Sequence, residues 1–529
     1  MHECLRINEI LSNIFEHLFE QRPPGLDPVF DCDIDPEKAL FRLAITCRTF
    51  TEPALDELWK VQRVLKPLIR CMPADLWSDV EGKPLTFTRA LQATDWERFD
   101  FYARRIRELG YAVLPYTLHA TAPLEASTEV FAALAAYVPV RIFLPRLCII
   151  RCTGWGIALY PHIQAFIGEA ITRVVINRKS VGYHKDGILT FQSITPNIIG
   201  ALCSAFSRLS PNITHLDIDG GQDFERPYLD LLNGLERLRG LSISIEGFPA
   251  DSQLGEEFVR LVADCKFLED LSIDEISSDQ IHQFHTRNGQ FPKLCTFWFT
   301  PQDLTAVGTV VQTMQCRFSN LSMRVSTDND ATYSLTQLHQ SLIPFSNHAC
   351  RRTLVTIELE TSFDKYLPCT PGGPTVADAL QPLLDCPNLR DVLLELDCTA
   401  DLEDSWLEAA GKAWPRLTQL KLWTHTRYDP KATLAGIPVL LDLCPYLEVF
   451  QMRMDATFLP PPDLLPDVQN HEIELLYLVG SPIDSPREVA MALKRMFPNL
   501  RSANQAVVEG CDVESEDWEE VDEILGELS

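Results

Sequence analysis

Several side chains in this sequence are of types that do chemistry, but their spacing fits binding better than bond-making. His282 and His285 stand one helical step apart and would offer two imidazoles to a metal ion; with no cysteine or further histidine nearby to complete a set, no metal is expected. Asp217-Ile218-Asp219-Gly220 starts like a calcium loop and then lacks the third acid and the distant glutamate, so strand alternation accounts for its two aspartates. The 16 cysteines form no CxxC pair. Cys265, Cys386 and Cys444 sit at apolar positions, which suits free thiols packed as small hydrophobes in a reducing compartment. There is no GxSxG elbow, P-loop or GxGxxG, and Gly154-Trp155-Gly156 and Gly220-Gly221 are isolated turns. No catalytic residue, no cofactor and no enzyme activity are expected.

What remains is chemistry of contact, and its placement depends on a recurring element. The segment CPNLRDVLLEL at residues 386–396 carries Leu389, Val392 and Leu394 spaced as LxxLxL. In an extended strand this turns Val392 and Leu394 to one face and Asp391, Leu393 and Glu395 to the other. The same spacing recurs at Ile213-Leu216-Ile218, Leu238-Leu241-Ile243, Leu268-Leu271-Ile273, Leu294-Phe297-Phe299, Phe318-Leu321-Met323, Leu354-Ile357-Leu359, Leu417-Leu420-Leu422, Leu447-Phe450-Met452 and Ile473-Leu476-Leu478. Successive units begin roughly 24 to 36 residues apart, the period of leucine-rich repeats. One such strand buries too little to fold alone; stacked, each inward aliphatic contributes about 1.5–3 kcal/mol. Pro-x-apolar precedes the strand at Pro211, Pro292, Pro387, Pro415, Pro445 and Pro498, and each proline holds the preceding residue out of the helical region. The expected fold is α/β, a leucine-rich-repeat solenoid with a curved parallel sheet and outer helices, among them 256–263, 304–314, 376–384 and 488–496. Outward strand positions then form a wall for a protein partner. Asp217, Asp219, Trp298, Glu358, Glu360, Lys421, Trp423 and Arg453 are its candidate contacts, the tryptophans as anchors because large aromatics dominate interface energetics.

The totals narrow the partner. A net charge of −28 with no basic block excludes nucleic acid, since a phosphate backbone requires clustered lysine and arginine. The longest apolar region, 131–150, is interrupted by Pro139, Arg141, Pro145 and Arg146, so no membrane span is expected. The start MHECLRINEI lacks a basic segment followed by an apolar run. No secretory signal is expected, and the localisation implied is cytoplasmic, nuclear or both. From 509 to 529 the chain is acidic without a basic residue; Trp518, Val521, Leu525 and Leu528 fall there at helical steps, compatible with a cap on the last repeat or with a detached tail.

The amino-terminal part is helical instead. Ile7, Ile10, Leu11, Ile14, Phe15 and Leu18 recur at three- and four-residue steps; Pro36 opens a second helix through Leu40, Leu43 and Ala44; Thr51 is placed to cap a third, with Pro53 in its first turn. Further on, Thr94-x-x-Glu97 reads as a capping box for a helix that Gly110 would end, and Ser485-Pro486 with Glu488 as another box. The segments ILSNIFEHL and LFRLAITCRTFTEPALDELW resemble an F-box, and the continuation LWKVQRVLKPLIRCMPADLW is similar to F-box proteins of mushroom-forming fungi. The match rests on Ile10, Ile14, Phe15, Leu18, Leu43, Cys47, Arg48, Phe50, Pro53, Leu58 and Trp59. It departs from the pattern at Ile7-Asn8, where Leu-Pro is usual, and in the long insert 21–38. The resemblance implies a module, residues 1–80, that docks on the Skp adaptor of a cullin-RING ubiquitin ligase through Ile10, Ile14, Phe15, Leu18, Leu43 and Pro53. Residues 81–137 would bridge to repeats at 138–503, and 504–529 would form the acidic tail. The expected function is substrate recognition for protein degradation, the substrate being an unidentified protein; the alternative is a non-catalytic interaction scaffold without ligase function.

Overall fold

The computed structural model describes residues 7–20, 36–80, 83–110, 126–136, 143–152, 159–177, 179–183, 189–221, 225–245, 253–276, 281, 291–301, 304–314, 316–325, 334–361, 373–396, 401–423, 429–459, 469–478, 481–503 and 516–528. His282, His285, residues 362–372 and the segment 504–515 lie outside them. The chain divides into two compact units, Met1–Leu238 and Arg239–Ser529.

The first unit begins with three helices, α1 (Asn8–Glu20), α2 (Pro36–Thr46) and α3 (Arg48–Lys60). Its strands are β1 (Val61–Gln62), β2 (Trp77–Ser78), β3 (Thr86–Phe87), β4 (Glu108–Leu109), β5 (Ile149–Cys152), β6 (Arg173–Asn177), β7 (Lys179–Tyr183), β8 (Leu189–Ser193) and β9 (His215–Gly221). β1, β4, β5, β6 and β9 pair in that order, all parallel, while β2–β3 and β7–β8 are antiparallel ribbons. In the second unit β10 (Gly240–Ile245), β11 (Asp270–Ile276), β12 (Thr296–Pro301), β13 (Asn320–Val325), β14 (Thr356–Thr361), β15 (Asp391–Glu395), β16 (Gln419–Trp423), β17 (Val449–Met452) and β18 (Leu476–Tyr477) pair in sequence order, again all parallel. Parallel neighbours need a crossover, and helices such as Gln253–Ala263, Leu304–Thr313 and Val376–Leu384 lie in those connections, while Pro486–Met496 follows the last strand. The fold is α/β, of the leucine-rich-repeat solenoid class.

Two features lock each repeat to the next. Every side chain of the LxxLxL triples is no more than 3% exposed, so each strand contributes its whole apolar edge to the core. At the strand entrance one backbone carbonyl accepts from two successive amides of the following repeat. Arg107 O receives Cys148 and Ile149, Cys148 O receives Thr172 and Arg173, and Thr172 O receives Thr214 and His215. In the second unit the series runs through the carbonyls of Arg239, Glu269, Cys295, Ser319, Val355, Arg390 and Thr418 in the same way. Helices close up where side chains are small: a Cβ on Gly308 would stand 3.0 Å from Ser341 O on the neighbouring helix.

Several local expectations are corrected. The parallel sheet starts at Val61, inside the segment assigned to the amino-terminal module, and β4 draws the presumed bridge into it. α3 begins at Arg48, so Thr51 lies within the helix, its hydroxyl donating to Ala44 O at 2.9 Å, and Pro53 is inside rather than in the first turn. The box expected at Thr94 and Glu97 forms at Gln92 and Asp95, because Arg89 fixes Asp95 by donating to both carboxylate oxygens at 2.8 Å. Gly110 closes β4, not the helix, which ends at Ala103; its φ of +107° and the approach of Arg151 O leave no room for a Cβ. Ser485 occupies the N-cap of Pro486–Met496 without a side-chain capping bond.

The acidic end resolves as a cap on the second unit. In the helix Glu516–Glu527, Trp518, Val521 and Leu525 are buried, while Leu528 beyond it is exposed. Trp518 Nε1 donates to Ser481 O at 2.9 Å, and the Asp522 carboxylate accepts from the Ser502 hydroxyl at 2.6 Å and the Ala503 amide at 2.7 Å. Among the described residues no helix is long and apolar enough to cross a membrane.

Trp518→Ala is expected to cost about 3–5 kcal/mol, read as a lower denaturant midpoint of the second unit together with faster proteolysis near residue 516. A pH dependence is expected in the first unit. The Arg89 hydrogen bonds hold the Asp95 carboxyl below its ordinary value of 3.8, so the stability it contributes is present above that pH and is lost as pH falls through the lower folded value. Denaturant titrations across this range are expected to show a shallower acid loss in Asp95→Asn.

Candidate functional site

Two surfaces carry the sequence-expected contacts, and the first is the helical module. Its core is complete in itself: Leu11 and Phe15 of α1, Leu40 and Ala44 of α2 and Ala54 of α3 form one buried cluster, with Leu43, Phe50, Leu55 and Leu58 packed against it. Phe15 meets Phe50 edge to face with centroids 5.8 Å apart. Having filled that core, the module still exposes Ile7 (46%), Ile10 (36%) and Ile14 (44%) at successive helical steps, and Phe41 (56%) and Ile45 (69%) one turn apart on α2.

The expected adaptor contacts therefore separate. Ile10 and Ile14 are on the surface; Leu43 is half-buried against the core; the side chain of Leu18 lies outside the described residues. Phe15, 3% exposed, and Pro53, buried within α3, belong to the interior and are corrected out of any contact set, since a side chain that closes the module's own core has no face left for a partner. Phe41, Ile45 and Ile7 were missed. The signal was present in α1 as an apolar stripe wider than one buried face, and in α2 as Phe41 and Ile45 spaced four apart beside the inward pair Leu40 and Ala44.

The module is fused to the sheet of its unit. α3 runs straight into β1, and Arg107 N donates to Lys60 O at 2.9 Å. Arg105, 4% exposed, reaches α3 with Nη2 on Glu52 at 2.7 Å and Nη1 on Asp56, and Trp59 stacks on Tyr102 at 4.5 Å. Lys60 in turn binds Glu16 on α1 and holds the Glu16 carboxyl below its usual range.

The second surface is the outward face of the strands. In the second unit Trp298, Ser322, Glu358, Leu393, Lys421, Gln451 and Tyr477 are in register on consecutive strands, and Arg324, Glu360, Glu395 and Trp423 form the next row. Trp298, Glu358 and Lys421 thus share one row and Glu360 and Trp423 another, with Arg453 directly after β17; all six are partly exposed. The acids are engaged: Glu360 accepts from Arg324 Nε at 2.6 Å and Glu358 from the Ser322 hydroxyl. Burial pushes the Arg453 guanidinium down from its usual value, opposed by Asp429. Asp217 and Asp219 stand on β9 of the first unit, where Asp217 pairs with Arg173 at 2.8 Å. The rows spread charged and aromatic side chains over consecutive strands, an arrangement suited to many shallow contacts. Among the described residues no group of three His, Cys, Asp or Glu side chains is placed to hold a metal ion.

No family model and no curated protein matches the chain. Solved structures similar to it include the Rad7 and Elc1 complex in yeast, at 14% identity over 78% of this chain and 88% of that one, with a TM-score of 0.38. Another is the TLR13-ssRNA13 complex, at 12% identity and a TM-score of 0.38, covering 77% of this chain; the chain spans about half (54%) of the length of that one.

Arg105→Ala is expected to destabilise the first unit by about 1–3 kcal/mol. The loss is smaller than for a fully buried pair, because the side chains of Glu52 and Asp56 remain 57% and 51% exposed and are rehydrated when their partner leaves. Chemical denaturation followed by tryptophan fluorescence reads the difference.

Proposed function

We propose that this chain is the substrate-recognition subunit of a Skp-cullin-F-box ubiquitin ligase, with its three-helix module seated on the Skp adaptor and its strand wall holding a protein substrate. The observation that carries this reading is the exposure of Ile10, Ile14, Phe41 and Ile45 on helices whose inward faces already form a closed core. Large aliphatic and aromatic side chains left in water in this number mark a protein interface, and the F-box resemblance of the segment supplies the partner. Phe41 and Ile45 join Ile10 and Ile14 as its anchors.

The role is one of proximity. A receptor of this kind makes and breaks no bond; it raises the effective concentration of a target lysine near a loaded conjugating enzyme. Because α3 continues into β1 and is clamped by Arg105, an adaptor seated on the module would be held at a fixed position relative to the sheet of the first unit. The second-unit rows around Glu358, Lys421 and Trp423 supply the contact surface, with Trp423 and Trp298 as anchors.

The test is retention of purified Skp adaptor by the full chain. Ile14→Asp and Phe41→Asp are each expected to weaken retention by at least tenfold with the thermal midpoint unchanged, since both side chains already stand in water. Retention unchanged in both variants, or absent from the unmodified chain, would leave an interaction scaffold without ligase function.

A further inference from the structure

In a chain of net charge −28, one cavity is positively charged. It lies in the second unit where the helix Leu335–Asn347 ends and the short turn Ala349–Arg352 leads into β14, and it has a volume of about 550 Å³. Arg317, Arg351 and Arg352 line it, together with Asn347 and His348, and no acidic side chain does.

The local hydrogen bonding separates its fixed walls from its free donors. His348 is structural: its Nδ1 accepts from the Cys350 amide at 3.1 Å, the ring also bonds the Met314 backbone, and burial pushes its pKa down, so it stays neutral and rigid. Thr353 is committed as well, its hydroxyl donating to Phe318 O at 2.7 Å. Arg351 is tethered by Nε to Asp385 O at 2.6 Å, which orients its guanidinium while the Asp385 carboxylate stays 3.9 Å away. Arg317 and Arg352 are both exposed and, among the described residues, have no ion-pair partner. Arg351 has only this long pair with Asp385, and Arg317 and Arg352 have no internal acid to neutralise them, so the three guanidiniums carry an excess of positive charge on one rim.

We propose that this cavity binds a phosphate monoester group. Guanidinium is the side chain whose planar fork matches phosphate oxygens two at a time, and a dianion is what three cations on one rim can neutralise. The volume falls in the range of small-molecule sites and leaves room for the group that carries the phosphate. The surrounding negative field opposes casual anion binding, so occupancy depends on contact with these arginines and not on long-range attraction. The site is independent of the adaptor reading and stands on the second unit alone.

The experiment is calorimetric titration of the full chain at fixed ionic strength with inorganic phosphate, pyrophosphate and O-phosphoserine, with chloride as reference. Saturable binding is expected, weakened about tenfold or more by Arg317→Gln and by Arg352→Gln, since each removes a charge-assisted hydrogen bond. Arg416→Gln, away from the cavity, should leave binding unchanged. Preference for O-phosphoserine would mark a phosphorylated side chain as the natural source, and preference for pyrophosphate a free phosphorylated compound. Absence of saturable binding, or binding equal in Arg317→Gln, Arg352→Gln and the unmodified chain, overturns the proposal; circular dichroism of both variants confirms that they remain folded.

Discussion

The structure depends on a dependency between repeats. A single strand such as Asp391–Glu395 presents Val392 and Leu394 on one edge and a row of backbone groups on each side, and it can satisfy neither alone. Its neighbours supply both at once. The carbonyl of Val355 takes the amides of Arg390 and Asp391, and that of Arg390 takes those of Thr418 and Gln419, so each repeat's entry fixes the register of the next. With register fixed, the period-two alternation of a strand sends the aliphatics of the repeat triples inward and leaves Glu358, Leu393 and Lys421 side by side on the other face.

That constraint creates an end problem, and the two termini meet it with different chemistry. At the carboxy-terminal end Glu516–Glu527 lays Trp518, Val521 and Leu525 onto the second unit and ties itself down through Asp522, while Asp517, Glu519, Glu520, Glu523 and Glu527 are exposed. In the first unit α3 passes directly into β1 and shares its backbone with the sheet. There the helices do more than cover an edge. A cap needs one apolar face, whereas this module closes a core of its own and retains Ile10, Ile14, Phe41 and Ile45 outside. The excess apolar surface is the physical basis for reading the module as a docking element.

Charge has a similar division of labour. Most acids on the strand face are engaged locally, as in Arg173 with Asp217 and Arg324 with Glu360, pairs that lie at the surface and add little to stability. They shape the potential of the wall instead. The cavity bounded by Arg317, Arg351 and Arg352 runs against the chain's overall sign; Arg351 is held by the Asp385 carbonyl, and the neutral His348 and Thr353 spend their own hydrogen bonds on the backbone.

The sequence by itself determined the repeat. Aliphatic side chains at a fixed spacing have only one way to leave water in a strand, so the core of the second unit and its parallel order were legible, as were most helices between its strands, whereas β1 and β4 of the first unit, two residues each, were not. The module's helices were legible too, but not which of their apolar residues face out: Phe15 and Ile14 are adjacent and equally hydrophobic, and only the packing of α2 and α3 decides that the first is buried and the second is not. The same holds for caps, where the box forms at Gln92 and Asp95 and not at Thr94 and Glu97, with Arg89 binding the Asp95 carboxylate. The basic cavity had no sequence signature, since Arg317 is separated from Arg351 and Arg352 by a whole repeat and meets them only through the stacking of strands. Short-range periodicity is written along the chain; the partner of a side chain is set by what the fold carries to it from elsewhere.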